Sequence, residues 1–172
     1  MSSEQSITLP SPSESGPRSN VSIRRATGDD LLAAFELVKE YFQAVDVWVR
    51  DTENEFSAYL NGDDRGVWLA FAGTEPVGCI VLHPLVCSPR SGEMKRLYVR
   101  PAYRRQGLAE GLLRALEDFA TKTARYERLY LDSKDDLVTA VRFYERHGYE
   151  RCDRYNTNPQ ATVFMRKALA GA

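Results

Sequence analysis

The sequence is short of the residues that build metal centres and disulfide frameworks. Its three cysteines, Cys79, Cys87 and Cys152, form no C-x-x-C pair, and its two histidines, His83 and His147, give no zinc-type ligand spacing. No metal is expected, and a reduced, intracellular setting suits the thiols. An excess of either charge is also missing. The 23 basic and 24 acidic side chains leave a formal net charge of −1, so no global field gathers nucleic acid or an anionic membrane. Nowhere do about eighteen apolar residues follow one another, and the opening MSSEQSITLPSPSESGPRSN has neither a basic start nor an apolar core. These absences lead to the expectation of a soluble, cytoplasmic protein with neither nucleic-acid nor membrane partners.

What is present reads as mixed α/β. Residues 1–20 are rich in Ser and Pro and too polar to offset chain entropy, so a flexible tail is expected there, with 21–172 as a single domain. VSIRRAT reads as a first strand, and Thr27 followed by Asp30 marks a helix start. Leu31, Phe35, Val38 and Phe42 then recur at helical spacing, which predicts a helix running to about Ala44, and DTENEFSAYL a shorter one. VWLAFAG and EPVGCIVLHPL are strands joined as a hairpin across GTEP, and GEMKRLYV is a third strand that stops near Pro101. Leu108, Leu112, Leu116 and Ala120 mark an amphipathic helix, and YERLYLD the strand after it, which together make a β-α-β crossover. DDLVTAVRFYERHG predicts a last helix ended at Gly148, and TVFMRKAL a closing strand.

The turn that opens the crossover helix carries chemistry. A helix start leaves amide groups without intrahelical partners beside the positive end of its dipole, so the turn before Leu108 is an anion cradle. Gly107 and the small Ala109 keep the backbone approachable, and Arg104 and Arg105 add positive charge. Phosphate is the obvious guest. A capped helix with solvated arginines is the plainer reading of the turn taken by itself.

Further residues favour the first reading. Arg104, Arg105, Gln106, Gly107, Leu108 and Ala109 match [RQ]-x-x-G-x-[GA], the pyrophosphate signature of the GNAT superfamily of acyl-CoA-dependent N-acyltransferases. EMKRLYVRP resembles that family's central strand, and AVRFYERHGY its later A-x-x-x-Y-x-x-x-G-[FY] segment. Leu137 stands where many members carry Asn. The resemblance covers nearly everything after the tail, and it implies a mostly antiparallel central sheet flanked by helices, with the crossover binding acyl-CoA.

It further implies acetyl transfer from acetyl-CoA to a primary amine of a small molecule or protein, by direct attack in a ternary complex, in a monomer or homodimer. Cofactor contacts would come from Leu97, Tyr98 and Val99 on the strand, from residues 104–109, and from Ala140 and Tyr144. A backbone amide near Val99 would face the thioester oxygen. Tyr144 matches the family's general acid; its competing reading is a core aromatic beside Val141 and Tyr149, although Phe143 can supply that packing. Glu93 is the candidate general base, directly or through water. Its spacing from Lys95 puts both on one strand face, so an ion pair that weakens the base competes. Cys79, in an apolar run with no adjacent histidine, reads as a small buried hydrophobe. His83, at a strand end, is either a plain surface residue or part of an acceptor pocket.

The basic run from Lys95 to Arg105 is assigned to cofactor phosphate and solvent. For the amine, Trp48 and Tyr155 are candidate apolar walls, and Asp46, Asp51, Asp153 and Asn156 candidate ammonium ligands. A module of the same fold that binds acyl-CoA as a sensor without catalysis is the alternative function.

Overall fold

A computed structural model describes residues 20–169; apart from Asn20, the segment expected as a tail lies outside them. β1 (Val21–Arg25) leads through a short 3-10 turn at Gly28–Asp30 into α1 (Leu31–Ala44). The Asp30 carboxylate accepts from the Thr27 amide at 2.8 Å, which fixes the chain's entry to the helix. α2 (Glu53–Ser57) has a capping box of its own, with the Thr52 hydroxyl accepting from the Glu55 amide at 3.3 Å.

β2 (Gly66–Ala72) and β3 (Glu75–Pro84) form the expected hairpin, with Gly73 at φ 62° in its turn. β4 (Ser91–Val99), α3 (Leu108–Lys122) and β5 (Arg128–Ser133) make the crossover. α4 (Val138–Arg146) starts later than DDLVTAVRFYERHG suggests, and Leu137 at its cap contributes no side-chain acceptor. A two-residue β6 (Glu150–Arg151) and β7 (Val163–Ala168) complete the sheet.

The strands lie in the order β1-β2-β3-β4-β5-β7-β6. Every pair is antiparallel except β4 with β5. Alternation along the strands feeds two apolar clusters. One joins α3 and α4 to the sheet through Leu112, Leu116, Leu129, Leu131, Val141 and Phe143. The other seats Leu37, Val38, Phe42 and Phe56 of α1 and α2 against Leu69, Cys79 and Val81. Helices thus cover both faces.

No helix among the described residues is long and apolar enough to cross a membrane, and none of their His, Cys, Asp and Glu side chains group in threes suited to a metal ion.

Candidate active site

β4 and β5 run side by side for only three residue pairs, Ser91–Arg128, Gly92–Leu129 and Glu93–Tyr130, and then separate. The other edge of β4 is irregular just beyond this point. Cys79 faces Tyr98 while Val81 faces Lys95, so β4 carries one residue more than β3 over that stretch. The extra residue falls at Arg96, whose φ of 59° is left-handed.

Packing holds this strained residue. Its guanidinium lies 4.7 Å from the Phe42 ring centre and 5.8 Å from that of Tyr41, and its Nη2 is 3.2 Å from Asp51 Oδ2. The Cys79 thiol donates to the Arg96 carbonyl at 3.4 Å, and burial pushes that thiol up to about 12, consistent with a small buried hydrophobe. Beyond Glu93 the β5-facing edge of β4 has no ladder partner, which leaves backbone groups for an extended ligand. Of the residues expected there, Leu97 packs toward the α3–α4 cluster and Tyr98 toward the α1–α2 cluster, and Val99 is buried opposite Gly78.

The turn before α3 lies just past the end of β4. Arg104 Nε donates to the Val99 carbonyl at 2.9 Å and so ties the turn to the strand. Arg105 and Gly107 are both left-handed, at φ 61° and 76°. None of the amides from Arg105 to Glu110 donates to another described residue; the first bond of the turn is from Gly111 to the Gly107 carbonyl at 3.0 Å. A Cβ built at Gly107 would meet nothing within 4 Å, so the turn opens outward, and Gly is required by its backbone angle. Open, unpartnered amides at a helix N-terminus with two arginines suit a diphosphate. Gln106 is exposed, Leu108 buried, and Ala109 packed partly against the core.

On the α1–α2 side of the gap lies a cavity of about 430 Å³, with Glu93 and Asp132 in its wall. Glu93 is 8% exposed. Its Oε2 is 2.7 Å from His83 Nε2 and 3.5 Å from Lys95 Nζ. Its Oε1 accepts from the Tyr155 hydroxyl at 2.9 Å and from Asn156 Nδ2 at 3.2 Å. Burial pushes this carboxyl up, but the His83 hydrogen bond, the Lys95 and His83 charges and the Tyr155 hydroxyl outweigh it and hold the group down at about 2. Both readings of Glu93 therefore meet at one residue: it faces the cavity, and it is paired. His83 Nδ1 lies 2.9 Å from the Pro84 carbonyl, so both ring nitrogens meet oxygen acceptors.

Tyr144 sits on α4, partly buried against the α3–α4 cluster beside the buried Phe143. Burial raises its phenol well above the ordinary range, and Tyr41 and Asp132 add to the effect; Tyr144 itself is not part of the cavity wall. Its hydroxyl has no hydrogen-bond partner among the described residues, whereas the Tyr149 hydroxyl donates to Glu117 at 3.0 Å. Ala140 lies one turn earlier on the same helix.

The acceptor candidates fare unevenly. Trp48 is 70% exposed and lies outside the cavity wall, as do Asp46 and Asp153. Asp51 lines the cavity but is committed to Arg96. Asn156 spends its amide hydrogens on Glu93 and on Asp132, the latter at 2.6 Å, so it orients carboxylates and cannot also hold an ammonium with that nitrogen. Tyr155 acts through its bond to Glu93. Tyr41, Asp132 and Lys134 line the cavity and were not singled out from sequence. Asp132 had one signal: it falls at the C-terminal end of a parallel strand, where α/β folds place ligands.

The chain matches the model of the acetyltransferase (GNAT) family over residues 31–149. It is 33% identical, over 161 residues, to an uncharacterized N-acetyltransferase of Schizosaccharomyces pombe, covering 88% of this chain and 97% of the relative. Among solved structures, a GNAT-family acetyltransferase of Staphylococcus aureus superposes with a TM-score of 0.75 at 16% identity, over 87% of this chain and 99% of the other. An N-acetyltransferase of Thermoplasma acidophilum, solved in complex with coenzyme A, gives 0.67 at 19% identity, over 87% and 99%.

Proposed function

Because the chain belongs to the acetyltransferase (GNAT) family, we propose that it moves the acetyl group of acetyl-CoA to a primary amine by direct attack in a ternary complex. The observation that carries this reading is continuity: open amides at Arg105–Glu110 lead to the unpaired edge of β4, and that edge leads to the cavity beside Glu93. Acetyl-CoA supplies an activated acyl carbon and a thiolate leaving group.

The protein's own residues do the rest. The amides and arginines of residues 104–109 hold the diphosphate, and the edge at Leu97–Val99 aligns the extended arm and offers a backbone N–H to the developing oxyanion. The amine nitrogen forms its bond to the carbonyl carbon as the carbon–sulfur bond breaks, and the Tyr144 phenol protonates the departing sulfur. An incoming ammonium loses two protons in all; one replaces that given by Tyr144 and the other reaches solvent. Glu93, held at about 2, is too weakly basic to take the amine's proton at neutral pH, so its part is to orient water.

The test is free-thiol release from acetyl-CoA across a panel of primary amines, with calorimetric titration of coenzyme A in parallel. Amine-dependent thiol release supports transfer. Heat with coenzyme A but no amine-dependent release would replace the enzyme by a sensor, and no heat would remove both.

A further inference from the structure

The cavity wall holds three carboxylates, and two of them are matched by the protein's own cations. Glu93 faces His83 and Lys95, and Asp51 faces Arg96. Asp132 differs: Oδ2 accepts from two neutral carboxamides, Asn156 at 2.6 Å and Asn158 at 3.2 Å, and Oδ1 has no partner among the described residues. Lys134, two residues on, sends its Nζ to the Val45 carbonyl at 2.7 Å and forms no ion pair with Asp132.

The carboxylate is therefore held in place and left without a positive partner, in a partly buried site where charge is costly without one. Its field is felt by the phenols of Tyr41, Tyr144 and Tyr155, all of them raised, first by burial and in part by Asp132. The Asn156 amide links Asp132 to Glu93. The same cavity has an apolar wall of Val45, Val47, Val49 and Leu137.

We infer that Asp132 is the carboxylate that pairs with the acceptor's ammonium, and that the acceptor is a primary amine on an apolar carbon chain. This rests on the proposed acetyl transfer for its biological meaning, and it is tested without turnover. Asn156 and Asn158 serve as positioning residues: by taking Oδ2 they leave Oδ1 for the guest.

The experiment is a ligand-observed NMR titration of the full chain with n-butylammonium and with its neutral counterpart 1-butanol. The wild type is expected to bind the ammonium saturably and in preference to the alcohol. Asp132→Asn should weaken the ammonium by roughly tenfold to a hundredfold and leave the alcohol unchanged, and Asp132→Glu should restore part of the preference. Leu137→Lys leaves Asp132 intact and brings a cation into the same cavity, so it should suppress ammonium binding even if the Asp132 variants fold poorly. A wild type with no preference for the cation, or Asp132→Asn and Leu137→Lys proteins that bind it as tightly as the wild type, would overturn the assignment. Coenzyme A calorimetry on the same samples separates the two failures: loss of that heat in the wild type removes the acetyltransferase reading, whereas ammonium binding reports on Asp132 alone.

Discussion

Replacing Glu93 by glutamine removes one buried charge from a network of four side chains, His83, Lys95, Tyr155 and Asn156. In the folded protein the carboxyl titrates at about 2, against an ordinary value of 4.5. That drop corresponds to about 3 kcal/mol. Because the folded value is the lower one, the contribution is fully present above pH 4.5 and is lost as the pH falls through 2. By pH 3, about 2 kcal/mol of it should be gone. The assay is urea unfolding of wild type and Glu93→Gln at steps from pH 6 to pH 3. Other carboxylates with depressed values, Asp30 and Asp64 among them, titrate in both proteins and cancel in the difference. The wild type should be the more stable at pH 6, and its advantage should shrink by about 2 kcal/mol by pH 3. Parallel curves across that range would show that Glu93 is neither paired nor buried as described, and the account of it as a weak base would fall.

Three further outcomes are expected. Tyr144→Phe should lower kcat by about a hundredfold or more while the coenzyme A affinity measured by calorimetry stays the same, since the ring packing survives and only the proton donor is lost. Gly107→Ala should cost about 1 kcal/mol in thermal or urea unfolding from the left-handed backbone alone, and should weaken coenzyme A by adding a methyl where the amides are open. Tyr149→Phe removes the bond to Glu117 but leaves Lys167 on that carboxylate at 2.8 Å, so a loss of about 1 kcal/mol in unfolding free energy, with turnover unaffected, is the expected reading.

Features written locally in the chain were legible in it. The stripe Leu108, Leu112, Leu116 and Ala120 is buried as its spacing requires, and the turn from Arg104 to Ala109 announces itself by composition. Features that belong to two strands at once were not. The extra residue at Arg96 exists only relative to β3, and nothing in EMKRLYV marks which residue turns left-handed. The parting of β4 from β5 after Glu93 is likewise a relation between two strands that the residues of neither one mark. The state of Asp132 depends on Asn156 and Asn158, far along the chain, and on Lys134 sending its ammonium to the Val45 carbonyl instead. Trp48 shows the opposite error: a large aromatic in a loop invites a pocket role, yet the loop turns it to solvent while Gln160 holds its amide at 2.7 Å.

The three rungs that join β4 to β5 work like the spine of a half-open book. Strands β1 to β4 form one cover and β5, β7 and β6 the other, and past Glu93 no rung joins them. The opening is lined by side chains such as Tyr41, Val45 and Leu137, with no backbone ladder between β4 and β5 beyond Glu93 to break. Exchanging Val45 or Leu137 would change the girth of the opening without breaking any backbone rung between β4 and β5.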